Sequence, residues 1–402
     1  MTIHTTTKPS EPVSPLEKEA INRLRCRLIE SLKKIPDDLN TDLNLVRWIR
    51  GYQGNIDEIC KKFAHYVASR EAAGFTGRDL PEREDDSHLS THNAQMNRFF
   101  EMAMIKPFLP FIASSRLGDS VWSDEHNAFM FFIKTFKTSD YLLHCFGYSE
   151  LLLQLILERE RTQPKERGPV QFIVIFDLAT VNITDYVNPM SGYMKLWQIR
   201  SEMWQDWYPD VVQRIYLVNP PRLVSLLWKI ARLFLTEQNL RKMEIVGEKE
   251  MTKHVNKNYV PKEFGGEFVN KDLPGDESGV SIRRKITSTD HYQAYQHYEV
   301  HGVQRPKPAK KEICPGEFFT IPIIVPEGKS LLWDFTTSGE IEFFIYKDKD
   351  ERHLVYPRLR LITVKLVEEG VLQNLPGGEY SFVFANHGAY FTTKLEYAIT
   401  VA

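Results

Sequence analysis

Catalysis needs a nucleophile beside a base, a metal cage or a phosphate cradle, and each leaves a recognisable spacing. The 402-residue chain has no GxSxG elbow, no HExxH, no Walker loop and no GxGxxG following a strand. Cys26, Cys60, Cys145 and Cys314 are scattered, without a CxxC pair or a neighbouring His cluster, so they imply neither a structural zinc nor a disulfide framework. A reducing cytosol is the compartment that suits them. The histidines are dispersed, and His144 and His254 are left unassigned. Asp348 and Asp350 in YKDKDE carry the acids of a cation loop but lack the glycine and the acidic twelfth position of an EF-hand, so a solvated turn is expected. No catalytic residue, metal site or cofactor is assigned.

The chemistry that does stand out is apolar. In PPRLVSLLWKIARLFLTEQN, from Pro220 to Asn239, two prolines open a helix on which Leu223, Leu226, Leu227, Ile230 and Phe234 share a stripe. Arg222, Lys229 and Arg232 are spaced to leave that stripe. One reading is a helix packed statically on a sheet. The other is a movable lid whose apolar face closes a greasy cavity. Lys229 and Arg232 interrupt the run, and the stretch is too short to cross a hydrocarbon core needing about 20 apolar residues.

The elements around it follow from periodicity. Ile21, Leu24, Leu28 and Leu32 mark an amphipathic helix from Leu16 to Ile35, ended by Pro36. Asn40, Thr41 and Asp42 offer capping oxygens to a short helix around Leu43, Val46 and Ile49, and Asn55 with Glu58 opens a third that Gly74 terminates. Ala128–Ile133 and Val170–Phe176 are unbroken apolar runs of strand length, and a leucine-rich helix over Glu150–Arg161 joins them as a βαβ unit. A further helix is expected over Gly192–Trp207 and a strand over Ile215–Val218. Lys271 to Pro308 is a polar bridge. Beyond it the period becomes two: Trp333 and Phe335; Ile341, Phe343 and Ile345; Tyr380, Phe382 and Phe384; Leu395, Tyr397, Ile399 and Val401. Such strands build an antiparallel β-sandwich. The N-terminal fifteen residues lack the pattern of a signal peptide and read as a disordered tail.

Length and hydrophobic content (42%) suit two or three domains with their own cores. Lys and Arg (51) nearly cancel Asp and Glu (53), so charge gives no general pull toward nucleic acid, and no such partner is expected.

The run Tyr208-Pro-Asp, IYLVNPPRLVSLLWKIARLFL, Lys242-Met-Glu-Ile-Val-Gly and Val260-Pro-Lys-Glu-Phe-Gly-Gly, with IVIFDL at Ile173 to Leu178 before it, resembles the CRAL-TRIO lipid-binding domain. LVRWIRGYQGNIDE resembles that family's helical leader. VPEGKSLLWDF, GEIEFFIY and LPGGEYSFVFANHGAYFTTKLEYAITV resemble a GOLD domain. The resemblance, to members related to phosphatidylinositol transfer and tocopherol-associated proteins, implies a multidomain fold. Residues 1–15 are the tail, 16–80 an all-α cluster, 81–272 the α/β lipid-binding domain, 273–308 a linker and 309–402 the β-sandwich.

The family's headgroup positions map in part. Asp210 and Lys242 match an acid and a lysine of the inositol-phosphate site; the alternative is an ordinary, partly exposed ion pair. Asp210 is one methylene shorter than the family's Glu, and Val211 stands where those members carry Arg, removing a donor fork suited to phosphate. The leader's arginines reduce to Arg47 and Arg50, with Tyr52 where another often stands. Asn182 and Thr184 match small positions near the headgroup; the alternative is turn capping. Strand alternation puts either Phe172, Val174 and Phe176 or Ile173 and Ile175 toward a cavity, and the first set is chosen as pocket lining against an ordinary helix–sheet core.

The resemblance thus implies a non-enzymatic cytosolic carrier whose only bound molecule is one hydrophobic ligand, a phospholipid or isoprenoid-type lipid, held behind a gate helix and exchanged at membranes, transiently membrane-bound at Golgi or endosomes. The GOLD module implies a protein partner. Arg283, Arg284, Lys285, Lys307, Lys310 and Lys311 either face an anionic leaflet or solvate the linker. The rival class is a trafficking adaptor or lipid-sensing regulator that transfers nothing.

Overall fold

The structure, a computed structural model, describes residues 10–76, 112–116, 121–122, 134–164, 166–178, 192–220, 224–233, 235–247, 250–269, 284–285 and 288–402. Three helices lead: α1 (Pro15–Leu32), α2 (Asp42–Gly51) and α3 (Ile56–Ala72). Their starts are local chemistry. Ser14 and Glu17 form a capping box on α1, Thr41 Oγ1 accepts from the Asn44 amide, and Asn55 Oδ1 accepts from the Glu58 amide. α1 stops at Leu32, before the expected Ile35, because Lys33 takes a left-handed φ of 65° and donates back to the Ile29 carbonyl. Ile21, Leu24, Leu45, Val46, Ile59 and Phe63 are buried between the helices. Trp48 sits edge-on to Phe63 with centroids 4.9 Å apart.

A parallel sheet follows, in the order β1 (Ile112–Arg116), β3 (Phe172–Asp177), β4 (Val212–Val218), β5 (Met243–Ile245); β2 (Val121–Trp122) pairs separately with β6 (Arg284–Lys285). The sheet carries α4 (Thr138–Thr162), α5 (Gly192–Trp207), α6 (Val224–Ala231), α7 (Glu237–Leu240) and α8 (Met251–His254). The strand expected over 128–133 lies outside the described residues. α4 starts well before the expected Glu150: its first turns carry Thr138, Ser139, Asp140 and His144, all polar and all buried. β4 likewise begins at Val212, ahead of the expected Ile215.

The strand order steps one way along the chain, so right-handed crossovers place α4, α5 and α6 on the same face. Side-chain contacts agree. Phe172 of β3 meets Trp204 of α5 at 6.0 Å, and Gln205 Oε1 of α5 accepts from the amide of Thr236 and the side chain of Asn239 just after α6. The opposite face buries Ile173, Ile175, Tyr216 and Val218 against Val246, Met251, Val255, Val260 and Phe264.

The last unit begins with α9 (Gln296–Val300), followed by β7 (Ala309–Ile313), β8 (Phe318–Val325), β9 (Lys329–Thr337), β10 (Ile341–Lys347), β11 (Leu354–Leu361), β12 (Glu368–Leu375), β13 (Gly378–Ala385) and β14 (Thr393–Val401). Two antiparallel sheets, β11-β10-β13-β8 and β12-β9-β14-β7, form the β-sandwich. The alternating residues meet inside it: Phe343 lies 4.8 Å from Phe335 and 5.0 Å from Phe384. Part of the polar bridge packs here. Tyr298 is buried and donates to Asp334 Oδ2 at 2.7 Å, and Arg305 forks onto the same carboxylate. YKDKDE is a turn, with Asp348 and Lys349 at positive φ and Asp350 paired with Arg352.

The sandwich is fastened to the rest by apolar contacts, with Ala68 and Ala72 of α3 against Phe344, Leu354 and Val383, and by polar ones. The Arg358 amide donates to Ser69 of α3, Arg360 pairs with Glu202 of α5, and Thr138 donates to the Ile362 carbonyl. At the start of α4 the Ser139 amide donates to Glu368, and Lys137 donates to the Glu369 carbonyl at 3.0 Å.

Candidate functional site

The helix-side face of the sheet is apolar and unevenly covered. Register aligns Val174 with Ile215 and Met243, and Phe176 with Leu217 and Ile245. Phe172, Val174 and Leu217 are buried, the first two in the core that Ile199 and Trp204 share. Phe176, Ile215 and Met243 are half-buried, and Ile245 is 44% exposed. Burial thus fades along β3 and toward the β5 edge, leaving a half-open apolar floor on the face where α6 crosses. Of the lining residues read from sequence, Phe176 belongs to the open part and Phe172 and Val174 to the packed part. Ile215, Met243 and Ile245 were not named, since only the pairing register brings them beside Phe176.

α6 forms within the expected segment and turns a polar side outward. Ser225, Lys229 and Arg232 are exposed at helical spacing, Trp228 is half-buried and Ala231 is buried. Leu223 and Phe234 lie outside the described residues, as do the side chains of Leu226, Leu227 and Ile230. Leu233 stands 68% exposed beyond the helix end. Asn182 and Thr184 also lie outside the described residues.

Asp210 and Lys242 do meet: Lys242 Nζ lies 2.9 Å from Asp210 Oδ1, with side-chain exposures of 17% and 10%. Asp210 precedes β4 and Lys242 precedes β5, so the pair sits at the N-terminal edge of the sheet. α6 leaves from the opposite edge, a strand length of about 20 Å away for the seven residues of β4. The turn is held from several sides. Asp210 takes φ 53°, its carbonyl accepts from Gln171 Nε2, and the Lys242 carbonyl accepts from the Ile215 amide. Gly51 of α2 abuts Pro209 so closely that a Cβ there would lie 2.3 Å from the proline Cβ. Val211 is buried in the core.

A buried polar network ties the leader to this turn. Glu150 accepts from Tyr66 Oη at 2.6 Å, Tyr208 Oη at 2.7 Å and Arg70 Nε at 2.7 Å, and Arg70 also donates to Asp38. Burial raises the Glu150 carboxyl above its ordinary range, against the pull of Arg70 and the two tyrosines. Burial, and then the Glu150 charge, pushes Tyr66 and Tyr208 well up.

The leader arginines are engaged. Arg47, 1% exposed, pairs with Glu160 and donates to the carbonyls of Leu43 and Val170. Arg50 pairs with Glu17 at 2.7 Å. Among the described residues, no group of three His, Cys, Asp or Glu side chains is placed to hold a metal, and no helix is long and apolar enough to cross a membrane. The four cysteines are unpaired.

The profile described as CRAL/TRIO domain matches residues 127–266. "CRAL-TRIO domain-containing protein C34C12.6" of Caenorhabditis elegans is 58% identical over 407 residues, 98% of each chain. "Protein ctg-1" of the same organism is 21% identical over 417 residues, again 98% of each. Among solved structures, the crystal structure of Sfh5 is similar at 11% identity and a TM-score of 0.41, covering 72% of this chain and 97% of that one.

Proposed function

The chain belongs to the CRAL/TRIO domain family of lipid-binding proteins, and from that premise we propose that it encloses one hydrophobic molecule between the β3-β4-β5 floor and α6 and exchanges it at membrane surfaces. The observation that carries this reading is the half-open row of Phe176, Ile215, Met243 and Ile245 on the α6 side of the sheet.

Burying acyl chain is favourable by about 0.8 kcal/mol per CH₂, so a lipid with roughly thirty methylenes would lose on the order of 25 kcal/mol if drawn bare into water. A carrier replaces the bilayer before the lipid leaves it. An apolar floor with a helix across it supplies that environment, and a helix with one apolar and one charged side can open against a membrane without exposing the cargo.

The cargo class is a phospholipid or isoprenoid-type lipid. Asp210 and Lys242 contact a polar headgroup at the sheet's N-terminal edge while the hydrocarbon lies along the floor. The sandwich acts as a GOLD-type module for a protein or organelle contact, and the protein works in the cytoplasm with transient membrane association. Transfer of a fluorescent phospholipid between donor and acceptor vesicles tests the reading. A carrier moves lipid and loses that activity in Leu227→Asp or Ile230→Asp while staying folded; a non-transferring adaptor moves none.

A further inference from the structure

Residues 10–17, which precede and open α1, pack on Arg50, near the Asp210–Lys242 pair whose headgroup role is the reading proposed above. Arg50 sits at the end of α2, beside the Pro209–Asp210 turn, and residues 10–17 surround its guanidinium. Nε donates to Glu17 Oε1 at 2.7 Å and Nη1 to Ser10 Oγ at 3.2 Å; Nη2 donates to Glu17 Oε2 at 3.2 Å and to the carbonyls of Glu11 and Pro12 at 3.1 and 3.4 Å. The Glu17 hydrogen bond first, and then the charges of Glu17, Asp210 and Glu11, raise the guanidinium above its ordinary pKa against the opposing effect of burial, so Arg50 feels the Asp210 carboxylate as well.

Apart from Arg50, the segment is held by the Ser14–Glu17 capping box of α1 and by Val13 against the core. Glu11, Pro12, Ser14, Pro15 and Leu16 are exposed, and Val13 is half-buried. It crosses Gly168 closely enough that a Cβ there would lie 2.2 Å from the Glu11 carbonyl oxygen and 2.4 Å from that of Ser10. Val211, next to Asp210, is buried and its side chain carries no donor.

We propose that residues 10–17 form a strap that withholds Arg50 from the Asp210–Lys242 site, and that a phosphate-bearing lipid headgroup displaces the strap to gain this second cation. The strap presents carboxylate, hydroxyl and carbonyl oxygens around the guanidinium fork; a phosphate offers several acceptor oxygens to the same fork and adds charge. Of the side chains from Glu11 to Leu16, only Val13 is half-buried, so displacing that stretch uncovers one apolar side chain.

Two independent variants open the strap without touching the site. Gly168→Ala places a methyl group against backbone oxygens of the strap, and Glu17→Gln removes the charge that pairs with Arg50 while keeping an amide oxygen for the Ser14 cap. Faster amide exchange over residues 10–17 reports the opening. Binding is then read on phosphatidylcholine vesicles doped with phosphatidylinositol phosphate, and on free inositol phosphate in solution.

Both variants are expected to bind the doped vesicles about tenfold more tightly than the natural chain, the effect of one charge-assisted contact, and Arg50→Ala added to either should cancel the gain. A gain on vesicles alone assigns the ligand to lipid-borne phosphate, and a gain on both probes to phosphate esters in general; both uphold the strap. Unchanged affinity in an opened strap, or a gain that survives Arg50→Ala, overturns it. Lys242→Ala judges the underlying reading separately: a gain indifferent to Lys242 leaves the strap standing and removes the Asp210–Lys242 headgroup role.

Discussion

Ile245→Asp separates a lipid floor from a merely apolar surface. Ile245 is 44% exposed at the edge of β5, so in the free protein an aspartate there keeps much of its water. Substitutions at such positions change stability by within about 0.5 kcal/mol, and the melting temperature should move by no more than about 2 °C. Covered by hydrocarbon, the same position behaves differently. Isoleucine gains about 1.5–3 kcal/mol on full burial, so a lipid covering its open part contributes on the order of 1 kcal/mol. The aspartate loses that and must also shed water without a partner, adding about 2–3 kcal/mol or more. The sum is a loss of at least about a hundredfold in lipid affinity. The assay is fluorescent phospholipid uptake beside a thermal melt. An intact melt with abolished uptake is expected; an intact melt with undiminished uptake would refute the placement of lipid on this floor.

Arg70→Ala should destabilise the chain by about 3–5 kcal/mol in denaturant titration, because it strands the fully buried Glu150 carboxylate, whereas Lys242→Ala, at a partly exposed pair, should cost under about 1 kcal/mol. Burial raises Glu368 to about 7, with Lys137 and the Ser139 hydrogen bond pulling it down and Asp140 pushing it up. Its pKa is thus higher in the folded than in the unfolded chain; its stabilising effect is complete below about pH 4 and is lost as pH rises through about 7. Thermal melts should show Glu368→Gln unchanged near pH 4 and more stable than the natural chain near pH 8, by on the order of 3 kcal/mol; equal melting of the two at pH 8 would contradict this. Gly370→Ala should cost about 1–3 kcal/mol by overpacking, since its Cβ would lie 2.2 Å from the Trp333 ring; chemical denaturation of the variant measures it.

What the residues announced in advance was mostly local. Thr41 and Asn55 mark helix starts because a cap acts within three residues, and Phe343, Tyr380, Phe382 and Phe384 mark the sandwich because alternation is a property of each strand alone. The start of α4 was hidden because Ser139 and Asp140 look like loop residues until Glu368 and Lys137, from distant and neighbouring chain, give them partners. Gln213 and Arg214 concealed the start of β4 for a similar reason: strand pairing, not apolar content, defines it. At the site, a motif sufficed to bring Asp210 to Lys242, but the open floor needed the register of three strands, and the capture of Arg50 needed the path of residues 10–17.

The central claim is a lipid-sized apolar chamber over the β3-β4-β5 floor, and native mass spectrometry of the purified protein, followed by solvent extraction and lipid identification, tests it most directly. One lipid per chain, displaced from the Ile245→Asp variant, is the predicted result. Protein that emerges empty, and that takes up no phospholipid or isoprenoid lipid when these are supplied, would contradict it.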